Sequence, residues 1–280
     1  MHAMTASSPD LRNFAGRLVL FGAGKMGGAL LEGWLRLGID PAQLVVVEPK
    51  PSPQISALAD RGLRLNPDGR AATDAAAVVI AVKPQTAPEA MPLIAPMLGA
   101  STLVVSIMAG RTLRFLSTTL PRAGAFVRAM PNLPAAIGRG ITVAVPLHIN
   151  DAQRALAQSL LSATGTVEWV EDEALLDAVT AVSGSGPSYV FLLAEALTEA
   201  GVAAGLPQPL AEKLARETVA GAGELLHRSP LDAAALRDSV TSPGGTTAAA
   251  LEVLLGANGL MPLMKKAIAA ATERSRKLAG

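Results

Sequence analysis

The sequence predicts an α/β protein in which a mostly parallel sheet domain precedes a domain made only of helices. Up to about residue 170, short apolar runs alternate with helix-patterned segments, which is typical of βαβ units in a sheet covered on both faces. A glycine-rich turn, GAGKMG, joins the first run to the first helix, and beyond residue 171 only helical periodicity remains. We therefore expect a flexible tail at 1–16, a sheet domain at 17–170 and an all-α domain at 171–280.

The strands are predicted from continuous apolar runs rich in β-branched residues, because a strand buried on both faces needs no polar alternation. The runs are RLVLF (17–21), LVVVE (44–48), AVVIAV (77–82), TLVVS (102–106), GAFVRAM (124–130), GITVAVP (140–146) and, as an edge strand, TVEWV (166–170). Helical patterns separate the early runs at 25–37, 53–61 and 86–98, and ALAQSLLSAT forms a helix before the last one.

The second half is predicted to be helical, since apolar residues recur at helical spacing and Gly or Pro separates the segments. The predicted helices are at 174–182, 188–204, 208–227, 232–239, 246–255 and 260–278.

Composition excludes several classes of function. The 24 basic and 23 acidic residues leave a net charge of +1, which gives no case for a nucleic-acid partner or a polybasic membrane patch. There is no cysteine and the three histidines are far apart in sequence, so we expect no metal site. Half of the residues are hydrophobic but only 3% are aromatic, and such small apolar side chains favour a helix–helix interface between subunits.

No targeting or membrane segment is predicted. The first residues lack a basic region followed by an apolar core, so they do not form a secretory signal. The most apolar helix, at 188–204, carries Glu195 and Glu199 and is too short to span a bilayer comfortably. We expect a soluble, cytoplasmic protein.

The turn after the first strand matches G-x-G-x-x-G, the fingerprint of Rossmann-type dinucleotide-binding domains. In that fingerprint Gly22 allows the tight turn, Gly24 allows close approach of a pyrophosphate and Gly27 allows close helix–strand packing. The cofactor-binding residues predicted here are Gly22, Ala23, Gly24, Lys25, Met26 and Gly27. The alternative is a glycine-rich turn that binds no ligand.

Two further cofactor contacts are predicted at strand ends. Glu48 lies 21 residues after Gly27, where an acidic residue binds the ribose hydroxyls. Its carboxylate by itself favours NADH, and Lys50 would moderate that preference. The alternative is that Glu48 is a solvated charge at the end of the strand and binds no ligand. Lys83, in IAVKPQ, follows a buried strand and is expected to face the cofactor crevice, unless it is a rim lysine without a partner.

A second glycine-rich turn, TSPGGTT, leads into the helix predicted at 246–255. Enzymes that transfer hydride to or from hydroxyl-bearing carbons usually need a His or Lys as acid or base, and none is well placed here. A protonated imine accepts hydride at its carbon atom without such an acid or base residue. Ser242 and the N–H groups of Gly245, Thr246 and Thr247 would bind a substrate carboxylate, which leaves a threonine hydroxyl for the imine nitrogen. Ordinary helix capping is the alternative.

Several motifs in order resemble the pyrroline-5-carboxylate reductase family: GAGKMG, AVKPQ, SIMAG, RAMPN, VSGSGPSYVF and VTSPGGTTAAAL. The resemblance implies reduction of 1-pyrroline-5-carboxylate to L-proline with NAD(P)H, the last step of proline biosynthesis. It implies that Ser242, Gly245, Thr246 and Thr247 bind the substrate carboxylate and that Thr247, the catalytic residue, reaches the ring nitrogen. It further implies that Gly22 to Gly27 and Ala81, Val82, Lys83 and Pro84 bind the cofactor, and that α-domains interlock in a homodimer, often assembled into a decamer.

The sequence departs from the family in two places. Leu133 stands where threonine is commoner, and VEPKP lacks the polar residues that usually receive a 2′-phosphate. We expect NADPH, with NADH possible. The alternatives are another imine reductase, a dinucleotide-sensing regulator or a β-hydroxyacid dehydrogenase, although the last needs a lysine that GPSYVFLLAEALTEA does not contain.

Overall fold

The computed structural model describes residues 10–67, 73 and 75–279. The chain divides into two compact units. The first runs up to Gly184 and includes the end of the chain from Thr272, and the second is Ser185–Ala271.

Eight strands form one sheet within the described residues of the first unit. They are β1 Leu18–Phe21, β2 Leu44–Val47, β3 Arg64–Leu65, β4 Ala77–Ile80, β5 Leu103–Ser106, β6 Ala125–Met130, β7 Gly140–Leu147 and β8 Gly165–Trp169. Their order across the sheet is β3-β2-β1-β4-β5-β6-β7-β8, and every neighbouring pair is parallel except the antiparallel β6–β7 pair. The predicted mostly parallel sheet is confirmed, with β8 at one edge.

Helices accompany this sheet: α1 Lys25–Arg36, α2 Pro53–Ala57, α3 Ala87–Ile94, α4 Leu113–Thr119, α5 Asp151–Ser162 and α6 Leu175–Val179. The sequence pattern did not predict β3 or α4. β3 has only two residues, too few for any periodicity, and it exists because it pairs with β2. α4 is a short helix whose start is marked by Thr112, which accepts a hydrogen bond from the Phe115 N–H at 3.1 Å.

Both faces of the sheet are buried, which explains the continuous apolar runs. In β1, Leu18 and Leu20 belong to a core on one face, together with Trp34 of α1. Val19 and Phe21 alternate with them and belong to the core on the other face. Trp34 is fully buried and satisfies its indole N–H by donating to the Leu160 carbonyl at 2.8 Å. This bond ties α1 to α5 against the sheet.

The predicted flexible tail is wrong for residues 10–16, which are packed within the first unit. Residues 1–9 lie outside the described residues. Leu11 is buried, and its N–H donates to the Leu37 carbonyl at 3.0 Å. Leu11 belongs to the same hydrophobic core as Trp34, because burial of its apolar side chain is favourable.

The second unit is all-helical in the residues that the structure describes, as predicted. Its helices are α7 Gly186–Ala203, α8 Gln208–Arg228, α9 Ala233–Ser239, α10 Thr246–Leu254 and α11 Leu260–Ala279, whose last turns belong to the first unit. α7 has no buried residue although it is strongly apolar, and Phe191 is 55% and Leu192 63% exposed. Within the described residues, no helix is long and apolar enough to cross a membrane.

Candidate functional site

The first glycine loop is a tight turn between β1 and α1. Gly22 has φ of +87°, a conformation that favours glycine, and its N–H donates to the Val47 carbonyl at 2.9 Å. A Cβ at Gly22 would lie 2.8 Å from the Ala81 carbonyl oxygen, and one at Gly27 would overlap the carbonyl oxygen of Gly22. These two glycines are therefore required by close packing of the loop on itself and on the end of β4.

Gly24 has a different environment, because a Cβ built there would meet no atom within 4 Å. Gly24 is the N-cap residue of α1, and it leaves the helix without a side-chain cap. The first N–H groups of a helix lack intrahelical partners and attract anions. The open side of Gly24 and the uncapped helix end fit the pyrophosphate of a dinucleotide, as the fingerprint predicts.

Glu48, just after β2, is attached to this loop. Its carboxylate accepts a hydrogen bond from the Ala23 N–H at 2.8 Å on Oε2 and one from the Lys50 N–H at 3.0 Å on Oε1. The side-chain amide of Asn66 forms two hydrogen bonds with the backbone of Glu48. It accepts from the Glu48 N–H at 2.8 Å and donates to the Glu48 carbonyl at 2.9 Å. The half-buried Glu48 carboxylate is thus held at the glycine loop, where the sequence predicts a ribose contact.

A cavity of about 640 Å³ opens beside these residues. Gly24 and Lys25 of the loop, Glu32 of α1, and Glu48 and Lys50 after β2 all contribute to its lining. The loop and the end of β2 therefore face a common space large enough for part of a nucleotide.

The segment after β4 lies next to the glycine loop. The Ala81 N–H donates to the Phe21 carbonyl at 2.7 Å. Lys83 is exposed and precedes a short turn of 3₁₀ helix that begins at Pro84. Arg111 holds that turn by donating to the Pro84 carbonyl from Nη2 at 2.9 Å and from Nε at 3.2 Å.

The sequence interpretation missed two residues that position these site elements. Asn66 has φ of +47° and brackets Glu48, and Arg111 also lies 4.9 Å from the Phe115 ring. Asparagine tolerates the left-handed conformation better than most residues, so Asn66 carried a weak signal in the sequence. The only signal for Arg111 in the sequence was its position directly after the SIMAG motif.

The second glycine loop lies in the other unit and forms the start of α10. The Gly245 N–H donates to the Ser242 carbonyl at 3.0 Å, and Gly245 is the N-cap residue without a side-chain cap. The Gly245 N–H therefore serves the turn, and the first free N–H groups of α10 are those of Thr246 and Thr247. Thr247 is half-buried, whereas Ser242 and Thr246 are exposed. Side-chain capping, the alternative interpretation of this turn, is absent from the described structure.

The VSGSGP motif forms a turn of π-helix at Thr180–Gly184, after which α7 begins with Pro187 in its first turn. The Ser183 Oγ is buried and has no hydrogen-bond partner among the described residues. Neither does the described part of the chain hold a group of three or more His, Cys, Asp or Glu side chains that could bind a metal ion.

A mostly parallel sheet, a glycine loop opening a helix and a carboxylate at the end of β2 together define a dinucleotide-binding protein of the Rossmann type. Two family models agree with this. Residues 17–110 match "NADP oxidoreductase coenzyme F420-dependent", and residues 173–278 match "Pyrroline-5-carboxylate reductase dimerisation". The class is a nicotinamide-dependent oxidoreductase whose helical part matches a dimerisation model.

Similar proteins narrow the class to one family. The pyrroline-5-carboxylate reductase of Pseudomonas aeruginosa is 38% identical over 265 residues, which cover 94% of this chain and 97% of that protein. A pyrroline-5-carboxylate reductase structure from Coxiella burnetii has a TM-score of 0.86 at 34% identity, covering 95% and 99% of the two chains. The Plasmodium falciparum pyrroline carboxylate reductase, solved with NADP bound, has a TM-score of 0.78 at 29% identity, covering 94% and 98%. This chain belongs to the pyrroline-5-carboxylate reductase family.

Proposed function

We infer that this protein reduces 1-pyrroline-5-carboxylate to L-proline by hydride transfer from NAD(P)H, the last step of proline biosynthesis. The observation that carries this inference is the second glycine loop, which opens α10 without a side-chain cap in a chain whose relatives are named for this reaction. A protein that bound only a dinucleotide would have no use for this second glycine loop.

The first glycine loop binds the cofactor in this proposal. The N–H groups at the start of α1 bind the pyrophosphate beside Gly24, and Glu48 binds the adenosine ribose. The segment Ala81 to Pro84 borders the loop and provides the other contacts. The reduced nicotinamide supplies the hydride, so this chain's own residues only have to bind, orient and exclude water.

The second glycine loop binds the substrate. The N–H groups of Thr246 and Thr247 and the Ser242 hydroxyl bind the carboxylate, with Gly245 shaping the turn. Protonation of the ring nitrogen makes the imine carbon electrophilic. The Thr247 hydroxyl accepts a hydrogen bond from that nitrogen, which stabilises the protonated form and orients the ring. Hydride addition to that carbon leaves the electron pair of the C=N bond on nitrogen and yields the secondary amine of proline.

The assembly proposed is a homodimer formed by the helical domain at 171–280, with dimers joined into a decamer. The apolar surface of α7 supports the dimer, because Phe191 and Leu192 are more than half exposed among the described residues. The sheet domain at 17–170 holds the cofactor. We place the enzyme in the cytoplasm, where NAD(P)H is available, and cell fractionation checks this.

The test is to incubate the purified protein with 1-pyrroline-5-carboxylate and either NADH or NADPH, following nucleotide absorbance and proline formation. Oxidation of neither nucleotide would refute the proposed reaction and favour a dinucleotide-sensing protein. A β-hydroxyacid dehydrogenase would oxidise 3-hydroxy acids with NAD(P)⁺, and α7 lacks the lysine that such an enzyme needs. Turnover of other cyclic imines in place of this substrate would indicate a different imine reductase.

A further inference from the structure

The attachment of Glu48 bears on which nicotinamide nucleotide the enzyme selects. Both carboxylate oxygens accept backbone hydrogen bonds, from the Ala23 N–H at 2.8 Å and from the Lys50 N–H at 3.0 Å. The Asn66 amide fixes the backbone of the same residue from both sides. The carboxylate therefore cannot swing out to solvent without breaking its bonds to the glycine loop and to the segment after β2.

A carboxylate held in this position discriminates between a hydroxyl and a phosphate. Each of its oxygens has a second lone pair, so it accepts a hydrogen bond from a ribose 2′-hydroxyl while keeping its backbone partners. A 2′-phosphate has a charge of about −1.5 to −2 near neutral pH. It would be repelled by the carboxylate, which has no proton to donate.

The cations around the cavity do not offset that repulsion. Among the described residues that line it, the cations are Lys25 and Lys50, the anions are Glu32 and Glu48, and none is an arginine. Two lysines against two glutamates leave the lining without net positive charge. Lys25 stands in the first turn of α1, on the side of the pyrophosphate, which leaves Lys50 as the cation nearest in sequence to Glu48. Arginine, the side chain best suited to bidentate phosphate binding, is missing from this lining.

We propose that Glu48 makes this enzyme select NADH over NADPH by accepting the adenosine 2′-hydroxyl and repelling a 2′-phosphate. This proposal rests on the proposed function and specifies its cofactor. It reverses the expectation of NADPH that follows from the family resemblance, because both oxygens of the Glu48 carboxylate are held at the loop.

The first experiment measures binding rather than turnover. NADH and NADPH are titrated into the wild-type protein and their dissociation constants are obtained by calorimetry. Because the carboxylate repels a 2′-phosphate, NADH should bind about tenfold more tightly than NADPH or better. In competition, 5′-AMP should displace NADH at a lower concentration than adenosine 2′,5′-bisphosphate. Equal or tighter binding of NADPH would overturn the proposal.

The second experiment compares Glu48→Gln with Glu32→Gln, which removes the same charge from the same cavity on α1. Glu48→Gln should move the ratio of the two dissociation constants toward NADPH by about tenfold. Glu32→Gln changes the net charge of the lining by the same amount but should move the ratio much less, because only Glu48 is held at the glycine loop. If Glu48 only supported the loop, its substitution would weaken both nucleotides equally, and that result would also overturn the proposal. The wild-type competition decides the matter even if Glu48→Gln does not fold.

The outcomes separate this proposal from the proposed reaction. Turnover of the pyrroline substrate with NADPH preferred would refute the role of Glu48 alone. Tight, selective NADH binding without turnover of that substrate would refute the reaction and leave the role of Glu48 standing.

Discussion

Gly27 lies so close to the carbonyl oxygen of Gly22 that a methyl group at position 27 would overlap that oxygen. The contact joins the first turn of α1 to the end of β1. It brings the helix N-terminus against the sheet, where its N–H groups are presented beside the open face of Gly24. The proposed anion site therefore depends on glycine at position 27.

Gly27→Ala should lower both stability and nucleotide affinity, because α1 must move away from Gly22. Overpacking of this kind costs about 1–3 kcal/mol in the free energy of unfolding. Urea denaturation and nucleotide titration measure the two effects.

Gly28→Ala is the matched control for that substitution. Its Cβ would meet only the Ala23 carbonyl oxygen at 3.4 Å, an ordinary contact, and alanine favours a helix over glycine by about 1 kcal/mol. This variant should be as stable as the wild type or more so. Equal behaviour of the two variants would show that the Gly22–Gly27 contact is unimportant.

Thr247→Ala should mainly lower kcat, by about 100-fold, since it removes the hydroxyl proposed to bind the ring nitrogen in the transition state. Steady-state kinetics with saturating nucleotide separates kcat from KM. Thr247→Ser keeps the hydroxyl and should retain most of the wild-type kcat. An unchanged kcat in Thr247→Ala would remove this residue from the mechanism.

Arg111→Ala should raise the KM for the nucleotide by about five- to tenfold, because it removes both hydrogen bonds that hold the Pro84 carbonyl. The reason is indirect: Arg111 holds the turn at Pro84, which follows the predicted cofactor contact at Lys83. Arg114→Ala is the control, because it removes an exposed cation from α4, three residues further along the chain. If both variants raise KM alike, loss of positive charge and not loss of the Pro84 contact is responsible.

Glu173→Ala should destabilise the protein more than Arg128→Met does. Glu173 Oε1 accepts both from the Arg128 guanidinium at 2.7 Å and from the Leu113 N–H at 2.8 Å, and the Arg128 side chain is only 8% exposed. Removing the carboxylate deprives a buried cation of its partner and costs about 3 kcal/mol. In Arg128→Met the carboxylate keeps the Leu113 N–H, so the cost should be about 1 kcal/mol. Chemical denaturation measures both, and the reverse order would contradict this account.

Phe191→Glu should shift the protein to a smaller assembly. It places a charge on the exposed apolar surface of α7 that we propose to be buried between subunits. Light scattering coupled to gel filtration reports the mass. Glu199→Gln, a polar change on the same helix, should leave the mass unchanged, and an unchanged mass for Phe191→Glu would argue against α7 as the interface.

Much of the fold could be predicted because its causes are local. Continuous apolar runs form strands when both faces are covered, and the two cores on either side of β1 confirm that coverage. The glycine fingerprint marks a particular turn, and the φ of Gly22 agrees with it. Pro187 falls in the first turn of α7, where its missing N–H is not needed.

The sequence by itself determined the order of elements, the two glycine loops and the residue types that each loop presents. Only the tertiary structure decided which distant polar groups pair with one another. Glu48 accepts from the Ala23 N–H, Arg111 donates to the Pro84 carbonyl, and Glu173 accepts from both Arg128 and Leu113. These partners are 25 to 60 positions apart along the chain. No periodicity records such contacts, because they form only once strands and helices have packed and the buried polar groups have found one another.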